Sequence, residues 1–194
     1  NSENPVICVP SGNFGNICAG ILAHHRGLPV EHFIAACNVN DVVPEYLRTE
    51  ILKPKETVAT ISNAMDVGDP SNFVRILELF DKEFNQVKNK LSGYTIDDEE
   101  TLKTIERVEK DYGYVLDPHG AVAFVALEKY LAENGGKGFF LETAHPVKFP
   151  DSVEKATGKS VEIPKSLEEL MRQEKFTTEI NPQYEELKEF LLKK

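Results

Sequence analysis

A continuous apolar run, Val6-Ile7-Cys8-Val9, passes through Pro10-Ser11-Gly12-Asn13-Phe14-Gly15-Asn16 directly into Ile17-Cys18-Ala19-Gly20-Ile21-Leu22. A short run without polar residues reads as a strand covered on both faces, as in a parallel sheet, and the segment that follows opens a helix. Between them, two glycines let the backbone come close to a ligand, and the first amides of a helix are unpaired donors at the positive end of its dipole. Strand, glycine turn and helix start together have the architecture of an anion cradle. Neither a Gly-Lys-Ser/Thr ending nor the full G-x-G-x-x-G spacing is present, which disfavours ATP and NAD. A turn that binds nothing is the simpler alternative, because Asn and Gly are also ordinary turn residues.

The remaining elements point to an α/β fold. Ile17 to His25 reads as a crossover helix stopped by Gly27 and Pro29, and His32 to Cys37 as the next buried strand. In such a unit the cradle lies at the carboxyl end of the first strand, the edge at which open α/β sheets bind ligands. Val58 to Ile61 reads as a further short strand. Phe73 to Phe84 carries Phe73, Ile76, Leu77, Leu79, Phe80 and Phe84 at helical spacing, and Thr95 to Tyr112 a weaker helical pattern, so this region is expected to be peripheral and helical. Gly120 to Leu131 reads as a helix begun near Asp117-Pro118 and ended by Gly135-Gly136, ahead of a strand from Phe139 to Glu142. The expected organisation is a large α/β domain over 1–150 and a helical tail over 151–194, interrupted by Pro164 and Pro182, that packs on it.

With 194 residues and 41% hydrophobic content the chain can bury a full α/β core. A net charge of -10 argues against nucleic acid, and acidic runs such as Asp97-Asp98-Glu99-Glu100 read as solvated faces. Cys8, Cys18 and Cys37 have no C-x-x-C spacing and read as reduced packing residues. Asn1-Ser2-Glu3-Asn4 does not look like a targeting segment and no long apolar run follows, so a cytoplasmic location away from any membrane is expected. The histidines and cysteines show no metal-ligand spacing. A hydrolase triad of Ser11, Asp117 and His119 lacks the G-x-S-x-G elbow.

Ser11-Gly12-Asn13-Phe14-Gly15-Asn16 resembles the pyridoxal-phosphate cradle of the threonine synthase family, fold type II enzymes related to the tryptophan synthase β-subunit. Three further segments resemble the same family and stand in its order: Ser62-Asn63-Ala64-Met65-Asp66-Val67-Gly68-Asp69-Pro70-Ser71-Asn72-Phe73, Asp117-Pro118-His119-Gly120-Ala121-Val122-Ala123, and Glu142-Thr143-Ala144-His145-Pro146-Val147-Lys148-Phe149-Pro150. The resemblance covers roughly the first four fifths of the chain. It implies an open, mostly parallel twisted sheet with helices on both faces, here incomplete, and pyridoxal 5'-phosphate as cofactor. It further implies conversion of O-phospho-L-homoserine and water to L-threonine and phosphate.

The same resemblance implies roles for particular residues. The amides of Gly12 through Asn16 would hold the cofactor phosphate, the hydroxyl of Ser11 or the side chains of Asn13 and Asn16 adding donors and Phe14 packing alongside. Thr143 would set a neutral hydroxyl against the pyridine nitrogen. Ser62, Asn63 and Asp66 are candidates for the substrate side, the resemblance covering their segment without giving each side chain a role, and Asp66 equally suits the cap of a helix beginning near Pro70 or Ser71. His119 and His145, each beside a proline, are expected to shape turns rather than transfer protons. The family's Schiff-base lysine lies upstream of the cradle in a Phe-Lys-Asp context that occurs nowhere in this chain. The chain is therefore read as the C-terminal part of such an enzyme, inactive alone and completed by the remainder of the same protein. The alternatives are a non-catalytic phosphate- or pyridoxal-phosphate-binding module and another fold type II lyase such as threonine dehydratase, over which the SNAMDVG and TAHP segments favour the synthase.

Overall fold

Strand β1 (Val6–Pro10) lies between β2 (His32–Cys37) and β4 (Gly138–Phe140), with β3 (Leu91–Thr95) on the far side of β2. All these pairings are parallel, with Cys8 opposite Ile34 on one side and Phe140 on the other. The computed structural model describes residues 4–174 and 176–193, so Asn1 to Glu3 of the segment read as lacking a targeting signal lie outside the described residues. The parallel sheet with helices on both faces agrees with the α/β class expected from the sequence.

Side-chain alternation along the strands divides the core. Val9, Phe33, Ala35, Cys37 and Leu91 face one layer, made by α1 (Gly15–His25), α2 (Val42–Thr49), α3 (Phe73–Leu79) and α4 (Phe84–Lys90). Val6, Cys8, Ile34 and Ala36 face the other, where α6 (Pro118–Asn134) supplies Val122, Ala123, Val125, Ala126 and Leu127. Helix α5 (Asp98–Tyr112), capped by the Asp97 carboxylate accepting from the Glu100 amide, packs Ile105 and Val108 against Leu116 and Ala121. Burial pushes the Cys8 and Cys37 thiols far up, so both stay protonated packing groups; Cys18 is half-buried.

Four expectations are corrected. Val58 to Ile61 is extended but is no strand: the Asn40 carboxamide accepts from the Val58 amide at 2.8 Å and donates to its carbonyl at 2.9 Å, standing in for a neighbouring chain. The helical pattern of 73–84 breaks into α3 and α4 because Asp81 and Lys82 take left-handed backbone, with φ of 51 and 60 degrees. The peripheral helical region also contains a sheet strand, β3, whose Gly93 is demanded from outside it: a Cβ there would lie 2.8 Å from Pro44 Cα. That proline belongs to α2, a helix the sequence reading did not anticipate.

Two compact units result. The first, Asn1–Val161, runs past residue 150 because α7 (Pro150–Thr157) buries Val153 and sets Ala156 against Ile105 and Val108. The second, Glu162–Lys194, holds α8 (Lys165–Met171) and α9 (Tyr184–Leu192), with Phe176, Tyr184, Leu187, Phe190 and Leu191 exposed. Among the described residues no helix is long and apolar enough to cross a membrane.

Candidate active site

Because every strand runs the same way, the segments after β1, β2, β3 and β4 emerge on one edge of the sheet. The loop after β1 is shaped by its own side chains. The Ser11 amide donates to the Ala36 carbonyl at 2.8 Å and its hydroxyl to the Val9 carbonyl at 2.9 Å. Asn16 donates through Nδ2 to the Pro10 carbonyl at 2.9 Å, while its Oδ1 accepts from the Ile17 amide at 2.8 Å. Phe14 adopts left-handed backbone, φ 62 degrees, ahead of α1 and buries its ring edge-on against Phe73 at 5.6 Å. The consequence lies in what is left over: among the described residues, none of the five amides from Gly12 to Asn16 donates a hydrogen bond. Gly15 and Asn16 are exposed and head an 11-residue helix, so these donors lie at a positive dipole end.

The loop rests on the 3-10 turn Asn63–Met65. A Cβ on Gly12 would lie 2.6 Å from Met65 Cα and 3.1 Å from the Ala64 carbonyl oxygen, so glycine is required for this contact. A polar network holds the turn from the β2 side. Asp66 accepts from Asn38 Nδ2 at 2.8 Å, Asn40 Nδ2 at 3.2 Å, the Thr60 amide at 2.9 Å and the Thr60 hydroxyl at 2.7 Å. Asn38 also reaches the Ser62 hydroxyl at 3.2 Å. Ser62, Asn38 and Asn40 are all buried.

On the α6 side, the Asp117 carboxylate caps the helix, accepting from the His119 amide at 2.8 Å and the Gly120 amide at 3.4 Å. The same carboxylate receives His119 Nδ1 at 2.6 Å, and His119 Nε2 accepts from the Ala64 amide at 3.2 Å. Beyond β4, Glu142 is exposed overall, but its carboxyl end takes the Asp117 amide at 3.3 Å and presses on Gly120, where a Cβ would lie 2.0 Å from Oε2. Burial of that end, then the hydrogen bond and charge of Asp117, push the Glu142 carboxyl from an ordinary 4.5 to about 8. Burial alone would raise Asp117 as well, but its bonds from His119 hold it below the usual range.

These opposite shifts give opposite pH dependences. Glu142 favours the folded state while protonated, so its contribution is full below about pH 4.5 and is lost as pH rises towards about 8. Asp117 contributes above its ordinary value and loses that contribution in acid. Glu142→Gln, neutral throughout, is expected to flatten the fall in stability across the upper window. Thermal unfolding at a series of pH values reads this, and a slope equal to that of the wild type contradicts it.

The sequence-based site residues do not all behave alike. Ser11 Oγ and Asn16 Nδ2 each donate one hydrogen bond within the loop itself, and Asn13 Oδ1 accepts from the Ser71 hydroxyl at 3.0 Å. Ser62 and Asp66 belong to the scaffold; Asp66 caps no helix. Asn63 is exposed. Thr143 is exposed beyond β4, with no hydrogen bond among the described residues, and the pairing of the Leu141 amide with the Cys8 carbonyl aligns its segment with the end of β1. His145 shapes a turn, accepting from the Val147 amide at 3.2 Å. Sequence reasoning missed Asn38, Asn40 and Asn72, whose Nδ2 lies 3.5 Å from a Cβ built on Gly15. The polar run Asn38-Val39-Asn40-Asp41 directly after a wholly buried strand was the available signal.

Comparison with known proteins agrees with this arrangement. Residues 2–139 match the family model "Pyridoxal-phosphate dependent enzyme", and residues 120–191 match "Threonine synthase, C-terminal". The threonine synthase of Buchnera aphidicola subsp. Schizaphis graminum is 45% identical over 99% of this chain and 44% of its own length. That of Escherichia coli is 49% identical over 84% of this chain and 38% of its own length. The crystal structure of threonine synthase from Escherichia coli superposes with a TM-score of 0.87 at 43% identity, over 97% of this chain and 44% of that one. The chain thus spans less than half the length of the relatives it matches.

Proposed function

Since the chain belongs to the pyridoxal-phosphate dependent enzyme family, we propose that it is the C-terminal, cofactor-binding part of a threonine synthase that converts O-phospho-L-homoserine and water to L-threonine and phosphate. The observation that carries the cofactor assignment is the set of five unpartnered amides from Gly12 to Asn16 at the start of α1. A phosphate dianion fits such a donor set, which carries no side-chain charge and no Cβ at Gly12 or Gly15 to obstruct it. When bound, pyridoxal phosphate supplies an electron-withdrawing ring that stabilises carbanions of the substrate.

The chain's own residues then act on position and charge. The loop amides fix the phosphate end, with the Asn72 carboxamide a further donor beside Gly15. The Thr143 hydroxyl would serve the pyridine nitrogen as a neutral partner, which would not hold a proton on it as a carboxylate would. Asn63 faces the substrate side from the turn that Asp66 and Ser62 anchor. The lysine that binds the cofactor aldehyde, and further contacts to the substrate phosphate, come from the remainder of the enzyme. Three unpaired cysteines suit a reducing cytoplasm. Alone, the chain binds phosphate or cofactor without turnover.

The full-length protein and the 194-residue chain, each assayed with pyridoxal phosphate for threonine and phosphate release from O-phospho-L-homoserine, test this reading. Turnover by the full-length protein only is the expected result. A full-length protein that releases no threonine overturns the activity, and turnover by this chain alone overturns the assignment of the catalytic lysine to the other part.

A further inference from the structure

We propose that His119, oriented by Asp117, is a positioning residue for the phosphate cradle: it fixes the Ala64–Met65 backbone on which Gly12 rests. The proposal builds on the reading of the Gly12–Asn16 amides as the cofactor-phosphate site and adds a residue that touches neither cofactor nor substrate. Both side chains lie inside the protein, Asp117 at 0% and His119 at 2% exposure. The Phe149 ring lies against the imidazole with centroids 4.8 Å apart.

The hydrogen bonds define the tautomer. An amide N–H can only donate, so His119 Nε2, 3.2 Å from the Ala64 nitrogen, must be the bare acceptor nitrogen. The proton is therefore on Nδ1 and points at Asp117 Oδ1, 2.6 Å away. Asp117 is itself immobilised by the His119 and Gly120 amides at the start of α6. A carboxylate seated on a helix terminus thus orients a neutral imidazole, which holds one backbone amide of the turn.

This bond is the only tie between the 63–65 turn and α6 among the described hydrogen bonds; the Asp66 network anchors the turn to the end of β2 instead. The contact with Gly12 has no slack, because even a methyl group would meet Met65 Cα at 2.6 Å. A shift of the turn on its α6 side is therefore transmitted to the first glycine of the cradle, whose amide is one of the five donors.

Two substitutions separate this role from helix capping. In His119→Asn the side-chain amide takes the place of Nδ1 and still donates to Asp117, but nothing reaches Ala64. In His119→Gln the longer carboxamide oxygen reaches Ala64 and restores the acceptor. Titration of the full-length protein with pyridoxal phosphate, followed by absorbance, is expected to show affinity reduced about tenfold in His119→Asn and close to wild type in His119→Gln. The 31P resonance of the bound cofactor should shift in the first variant and not in the second. Equal affinity and equal 31P shift in wild type and His119→Asn overturn the positioning role. A wild-type protein that binds no pyridoxal phosphate overturns the cradle reading itself, and the proposal with it.

Hydrogen exchange in the wild type supplies a measurement that needs no variant. Cofactor binding should slow exchange of the Ala64 amide severalfold as the platform is locked. Exchange unchanged by bound cofactor overturns the coupling.

Discussion

Gly12→Ala is expected to lose about 1–3 kcal/mol of stability through overpacking and to lose most of its affinity for the cofactor phosphate. The added carbon has no flexible side chain to push aside: its neighbours are Met65 Cα at 2.6 Å and the Ala64 carbonyl at 3.1 Å, both backbone. Met65 is itself buried, in the same core layer as Val6, Cys8, Ile34 and Val122. Relief must therefore come from the cradle side, where Gly12 would lift and carry its amide out of line with those of Asn13 to Asn16. Urea unfolding and phosphate or pyridoxal-phosphate titration of the same sample measure both effects. A Gly12→Ala protein with wild-type affinity would mean that the loop binds without resting on the turn. Gly15→Ala is the built-in comparison, because its nearest neighbour, Asn72 Nδ2, stands at 3.5 Å, an ordinary contact.

Asp66→Ala is expected to be more damaging to the fold, by about 3–5 kcal/mol, since each buried donor left unmet costs about 1–3 kcal/mol. Four donors converge on this carboxylate: the carboxamides of Asn38 and Asn40 and both polar groups of Thr60. Water reaches the half-buried Asp66 position but not Asn38, which is 1% exposed, so solvent cannot take over every bond. Asp66→Asn keeps the shape and one acceptor oxygen and should fall between wild type and alanine. The urea midpoint of the three proteins checks this order. A loss below about 1 kcal/mol in Asp66→Ala would show that the network contributes no more than a single ordinary hydrogen bond.

What could be read from the sequence was the part whose cause is local. The β1–α1–β2 unit announces itself through uninterrupted apolar strands, a glycine turn and a Gly27 stop, and β2 has the bounds His32–Cys37 expected of it. The helix behind Asp117-Pro118 was equally visible, because a capping carboxylate and a proline at the first turn act on their own neighbours. Where the cause lies in another element, the reading fails. Leu91 to Thr95 fell within a region read as peripheral and helical, yet it is a sheet strand whose Gly93 is there for Pro44. Val58 to Ile61 has the residues of a strand, but its partner is the Asn40 side chain. Asp66 also suited a helix cap, because nothing in its own segment discloses that Asn38 and Asn40 arrive beside it and Ser62.

The two neighbours of β1 reach it by very different routes. β2 follows after one helix, whereas β4 begins at Gly138 and returns to pair with Val6 across most of the first unit. Closing so long a loop is entropically costlier and kinetically slower than forming the adjacent crossover. Synthesis adds a second delay, since the cradle leaves the ribosome long before Thr143 has been made. The loop of unpartnered amides therefore forms first and the segment that carries Thr143 docks last, so under the proposed function the nascent chain would pass through a stage able to hold an inorganic anion but not yet to discriminate the cofactor that carries it.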